Sequence, residues 1–231
     1  MADHITVGDD IRVTLRRNGR ARRLTLRVTR AGGEAVMTLP PGASLAEARA
    51  FAESRAGWLR AAQGRAQEVR RVGPGAVLPV AGQGLQVEIT PGLRRVQIEG
   101  ARLLLPDRGA PGRIVAAWLK GRAQLALRDC VTRHAGALNR EVRAMSLRDT
   151  RSRWGSCTHD GRLMFSWRLA MAPPEVLDYV AAHEVAHLAH MDHSPAFWAA
   201  VARLMPDYVA RRDWLRVHGA ELQAWRFDEG V

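Results

Sequence analysis

The stretch AAHEVAHLAHMDHSPAFW, Ala181 to Trp198, places His183, His187, His190 and His193 within eleven positions and sets Glu184 directly after the first of them. The preceding APPEVLDYV reads as a helix start. Pro174 suits the first helical position, where no N–H is needed, and Glu175 lies at the positive end of the helix dipole. One helical turn separates His183 from His187, so both imidazoles project from one face and can reach a single zinc ion. This is the His-Glu-x-x-His arrangement of zinc hydrolases. Glu184 flanks that face without being in line with it, which suits a general base that takes a proton from water beside the metal. A catalytic zinc needs a third protein ligand. His190 continues the same face but lies about 10 Å along an unbroken helix from His183, an awkward place for tetrahedral convergence, so it reads as a partly exposed neighbour before it reads as a ligand. Ser194 and Pro195 read as the cap and first turn of a new helix, so the chain is expected to turn at 191–193 and swing His193 over the metal.

Outward from this stretch, IRVTLRR (Ile11–Arg17) and RLTLRVT (Arg23–Thr29) alternate apolar and polar residues, and AVMTLP follows the turn at 31–33. They are expected to form a half-buried antiparallel sheet. Ser44 is placed to cap one helix from about Leu45 to Arg65, with Ala48, Phe51, Ala52 and Trp58 near helical spacing. Gly73-Pro74-Gly75 stops it, and AVLPVAG, LQVEIT and VQIEGARLLLP supply further strands up to Pro106. Charged, Gly and Pro residues cluster at 107–112, where a domain boundary is expected. A long helix is expected from Arg113 towards Arg140, buried through Val115, Trp118, Leu119, Leu125, Leu127, Val131 and Leu138. VRAMSLRDTRSRW and RLMFSWRL then read as a hairpin with a long loop. No internal repeat is visible.

The chain of 231 residues is 47 % hydrophobic, enough for one large core or two modest ones. No run of eighteen uncharged apolar residues suggests a membrane span, and MADHITVGDD is acidic where a secretory signal is basic and then apolar, so a cytoplasmic protein is expected. Cys130 and Cys157 are too few for a disulfide framework or a Cys-x-x-Cys zinc site, which leaves histidine to hold any metal. The formal charge of +12 raises non-specific nucleic-acid contact through a basic surface. Lys120 is the sole lysine, however, and a bias towards arginine as strong as this also arises from genomic base composition.

RDTRSRWGSC (Arg148–Cys157), FSWRLAMAPPEVLDYVAAHEVAHLAHMDHSPAFW (Phe165–Trp198) and MPDYVARRDWL (Met205–Leu215) together resemble the YgjP-like metallopeptidases, relatives of the SprT-like and WLM zinc proteases. The resemblance extends more weakly through TLRRNGRARRLTLRV and TLPPGASLAEARAFAESRAGWL. It implies a small zincin fold, one zinc per chain on His183, His187 and His193, Glu184 as catalytic base, and a protein or peptide substrate. It also suggests that LMFSWRL or the strand before it is an edge on which substrate pairs, with Arg151, Arg153, Trp154 and Ser156 at its end. Trp154 reads equally as a core anchor. Tyr208 and His218 are candidate oxyanion donors, whereas Tyr179, Phe197, Trp198 and Trp214 read as core.

The expected protein is therefore α+β: a β-rich domain with one helix over 1–110 and a zincin-like metallopeptidase domain over 111–231. Two other readings stay open. One is a nucleic-acid-associated protein whose zinc only organises the helix; the other is a zinc hydrolase of a non-peptide amide or ester.

Overall fold

The alternating N-terminal segments form strands, but their pairing is mixed. In the computed structural model, which describes residues 3–8, 10–29, 32–64, 66–150 and 152–227, two units divide between Arg70 and Arg71. The first contains β1 (His4–Val7), β2 (Ile11–Arg17), β3 (Thr25–Val28) and β4 (Ala35–Leu39) in the order β1-β2-β4-β3. The two outer pairs are antiparallel, whereas β2 and β4 run parallel. Ile5, Val7, Ile11, Val13, Leu15, Ala35, Met37 and Leu39 point to one side and close a core with Ala48, Ala52 and Leu59. Those last residues come from two helices, α1 (Leu45–Glu53) and α2 (Ala56–Gly64), where one was expected. Ser44 caps α1 through a reciprocal pair: its Oγ accepts from Glu47 N–H at 3.1 Å, and Glu47 Oε2 accepts from Ser44 N–H at 2.8 Å. At the break, Ser54 Oγ donates to the Phe51 carbonyl at 2.8 Å, a local bond that competes with helix continuation. Trp58 is exposed and Leu59 takes the buried position.

The second unit follows the two-residue β5 (Arg70–Arg71) with β6 (Val77–Val80), β7 (Gln83–Thr90), β8 (Gln97–Glu99) and β9 (Arg102–Pro106). Their order is β6-β7-β9-β8, again with antiparallel outer pairs and a parallel central pair. The chain thus builds the same four-stranded sheet twice, a repeat that no sequence similarity announces. The boundary expected at 107–112 falls inside this unit, because Leu103 and Leu105 share one core with Val115 and Leu119 of α3 (Pro111–Leu138). Along α3, Val115, Leu119, Leu127 and Val131 are buried as expected, while Leu125 is exposed.

Beyond α3 come β10 (Ala144–Arg148), β11 (Gly155–Cys157) and β12 (Arg162–Ser166), in the order β10-β12-β11. β10 and β12 are parallel, so they are not the expected hairpin; the antiparallel partner of β12 is β11. RLMFSWRL leaves the sheet at Ser166 and tightens into a buried 3-10 turn, Trp167–Met171. Arg168 in that turn is 2 % exposed and donates to both Asp149 oxygens at 2.6 and 3.2 Å and to the Leu222 and Trp225 carbonyls at 3.1 and 2.9 Å. Three helices follow: α4 (Pro174–Ala186), α5 (Pro195–Leu204) and α6 (Tyr208–Ala224). α3 packs along α4, where buried His134 bonds Asp178 at 2.7 Å. In the short β13 (Trp225–Arg226), the Arg226 carbonyl accepts from Val72 N–H at 3.1 Å. No helix among the described residues is long and apolar enough to cross a membrane.

Candidate metal centre

α4 carries the histidine stretch through the middle of the second core. Val176, Leu177, Tyr179, Val180, Ala181, Ala182, Val185 and Ala186 are all buried, so the helix is enclosed on most sides and its alanines let neighbouring elements approach closely. His183 and Glu184 lie in its last turn, and His187 is its C-terminal cap. The chain then turns: His190 N–H donates to the Ala186 carbonyl at 3.1 Å, and Ser194 Oγ caps α5 by accepting from Phe197 N–H at 3.4 Å. The turn carries His193 back to the helix, as the Ser194-Pro195 pair leads one to expect.

The three imidazoles converge. Their ring centroids are 4.8 to 5.2 Å apart, and one nitrogen from each lies within 4.8 Å of the others. His183 Nε2 and His193 Nε2 are 3.3 Å apart. Two nitrogens on a tetrahedral zinc, each about 2.0–2.1 Å from it, would be separated by about 3.3 Å. The His187 Nδ1–H donates to the His190 carbonyl at 3.0 Å, which fixes the ring and leaves Nε2 with its lone pair free for a metal. His190 thus contributes through its backbone. Burial and the two neighbouring imidazoles push His183 down to about 3, so it is neutral and able to ligate at neutral pH. Phe197 is fully buried behind the cluster, its ring 4.4 to 4.9 Å from all three imidazoles. The donor set and its spacing fit a divalent metal ion of the size and preference of zinc.

Glu184 is only 5 % exposed, and burial pushes its carboxyl up to about 8 against the lowering effect of the nearby Arg153 charge. Among the described residues its carboxylate has no hydrogen-bond or ion-pair partner. It rests against β11, where a Cβ at Gly155 would meet Glu184 Oε1 at 2.5 Å. Gly155, Ser156 and Cys157 form one wall of a cleft of about 260 Å³, and His183, Glu184, His187, Met191 and His193 form the rest. β11 has one strand neighbour among the described residues. Trp154 C=O and Thr158 N–H bond to β12 at 2.8 and 3.0 Å, so strand alternation turns the N–H and C=O of Gly155 and Cys157 towards the open edge.

The other expected site residues are dispersed. Ser156 lines the cleft, and Arg153 is exposed close enough for its charge to act on Glu184. Trp154 packs on α6, with Gly219 beneath its indole. Arg151 lies outside the described residues. Tyr208 stacks on Trp198 at 5.4 Å and Tyr179 at 6.5 Å, outside the residues that line the cleft. The His218 ring lies tilted against Trp214, 4.8 Å away, and faces Glu221 at 3.7 Å. Gly155, Cys157 and Met191 also line the cleft without a place in the expected site; of the three only Gly155, between Trp154 and Ser156, carries a sequence signal, that of a close approach to a strand.

A family model described as YgjP-like, metallopeptidase domain, matches residues 22–218. No curated protein matches the chain. Among solved structures it is similar to the metallopeptidase zymogen of Pyrococcus abyssi abylysin, with 19% identity and a TM-score of 0.36 over 40% of this chain and 92% of that one.

Proposed function

The chain belongs to the YgjP-like metallopeptidases, and from that premise we propose that it is a zinc-dependent peptidase of zincin type, cytoplasmic, with Glu184 as its general base. The observation that carries this reading is the placement of Glu184: a buried carboxyl with no hydrogen-bond or ion-pair partner among the described residues, pressed on an edge strand and facing the same cleft as three convergent imidazoles. A zinc that only held the fold would give such a carboxyl nothing to do.

His183, His187 and His193 hold one zinc per chain. The bound ion supplies Lewis-acid polarisation of the scissile carbonyl and lowers the pKa of water in the cleft. Glu184 accepts the proton of the attacking water on its carboxylate and then delivers it to the nitrogen of the leaving amine as the C–N bond breaks. The outward N–H and C=O groups of Gly155 and Cys157 hold an extended peptide by main-chain bonds, with Ser156 and Arg153 beside it. Tyr208 supports Trp198 and Tyr179, the aromatic wall behind His183.

The test is hydrolysis of casein and of a panel of small amide and ester substrates by wild type and Glu184→Gln. Cleavage of polypeptide by wild type alone supports the reading. Hydrolysis of small esters or amides with casein untouched refutes it.

A further inference from the structure

The two four-stranded sheets share a topology but differ on their outer faces. In β6-β7-β9-β8, Arg102 is balanced by Glu88 at 3.3 Å and Glu99 at 3.1 Å. The first sheet has no such balance. Its registers pair Thr6 with Arg12, His4 with Thr14, Thr14 with Val36, Arg16 with Thr38, Thr25 with Thr38 and Arg27 with Val36. These residues occupy the face opposite the helices, since the intervening positions make up the core. No Asp or Glu stands at any of the paired positions of this face. His4, Thr6, Arg12, Arg16, Thr25 and Arg27 are exposed, and the only apolar residue among the paired positions, Val36, is buried. Among the described residues Arg12 meets only the His4 ring, at 3.3 Å, and neither Arg16 nor Arg27 has an ion pair. Of the acidic residues flanking the ladder, Asp10 is turned to Arg60 of α2 at 3.7 Å, and Glu34, just before β4 and one step beyond the Val13/Ala35 pair, is exposed with no ion pair among the described residues.

Strand geometry sets the spacing of the three guanidinium groups. Arg12 and Arg16 start about 13 Å apart along β2, and Arg27 starts two strands away, level with Thr14, about 12 Å from each. The face is a triangle of three arginines without an ion pair among the described residues, filled in by threonine hydroxyls, with Glu34 as an acidic neighbour at its edge. Among its paired positions the one ring is that of His4, held against Arg12 at 3.3 Å, and no exposed apolar side chain stands there to enter a bilayer.

We propose that this sheet face binds the phosphodiester backbone of a nucleic acid without reading base sequence. Arginine and threonine donors supply contacts to phosphate oxygens, and release of condensed counterions drives the association. The surface lies in the first unit and is independent of the peptidase reading.

The test uses the full-length protein and fluorescent 30-mers of single-stranded DNA, single-stranded RNA and duplex DNA, titrated across a range of salt. The triple variant Arg12→Gln, Arg16→Gln, Arg27→Gln is expected to bind at least tenfold more weakly at about 50 mM salt and to flatten the log K against log salt slope by about 3. Replacing the same three residues with Lys should retain most of the affinity, and Gln at Arg94, Arg95 and Arg128, an equal loss of charge in the second unit, should leave it within threefold. The three probes show which nucleic acid the face prefers. Equal weakening by both Gln triples, or no binding by wild type at low salt, overturns the proposal, as does binding confined to anionic vesicles.

Discussion

Gly155 and Glu184 are in direct contact across the cleft: a Cβ on the glycine would lie 2.5 Å from Glu184 Oε1 and 2.6 Å from its Cγ. The proposed base is thus positioned by the backbone of the strand proposed to receive substrate. In Gly155→Ala the carboxylate must move by an ångström or so while the three histidines stay in place. The expected outcome is about a hundredfold fall in kcat/KM with metal content unchanged, checked by peptide kinetics alongside elemental analysis.

Burial of Glu184 also makes stability depend on pH. Its carboxyl is pushed up to about 8 from an ordinary 4.5, so between those values the folded chain holds a proton that the unfolded chain has released. The contribution of Glu184 to the stability of the chelated protein therefore falls as pH rises from about 4.5 to 8, by at most a few kcal/mol, while the buried neutral His183 acts in the opposite sense below about 6.5, so the Glu184 part is read from the difference between wild type and Glu184→Gln. Chelated Glu184→Gln lacks this loss, and the two proteins should converge in pH dependence below 4.5. Urea midpoints at pH 4.5, 6 and 8 decide it; parallel profiles would mean that the carboxyl is not held neutral.

His190 and His193 separate cleanly by mutation. The His190 carbonyl, not its ring, holds His187 at 3.0 Å, so His190→Ala should keep full zinc affinity. His193→Ala removes a proposed ligand and should weaken zinc binding at least a hundredfold. Competition with a chromogenic chelator measures both.

Arg168 ties the 3-10 turn to Asp149 and to the end of α6. Arg168→Met fills the volume but leaves the Leu222 and Trp225 carbonyls unpaired, and a loss of about 3 kcal/mol in unfolding free energy is expected. Asp149 is half exposed and can be hydrated, so Asp149→Asn should cost less. Denaturant titration of both variants checks the order.

The histidine stretch was legible because its spacing, its helix start and the Ser194-Pro195 break are local signals. Strand sense was not. Ile11–Arg17 and Ala35–Leu39 show the alternation of any half-buried strand, and nothing in it tells the parallel β2/β4 pair from an antiparallel one. The division at Arg70/Arg71 was missed for a related reason: Gly and Pro at 107–112 mark a turn into α3, and a turn within a core has the same composition as a linker. Arg168 reads as the polar side of a strand because its partners, Asp149, Leu222 and Trp225, are remote in sequence. The contact of Glu184 with Gly155 is likewise a product of tertiary packing.

The most direct measurement is the rate of peptide-bond cleavage by chelated protein as zinc is added back, for wild type and Glu184→Gln in parallel. The account predicts that wild-type activity rises from zero and levels off at one zinc per chain, while Glu184→Gln takes up the same zinc and stays inactive. Cleavage that survives chelation, or that returns equally in Glu184→Gln, would contradict it.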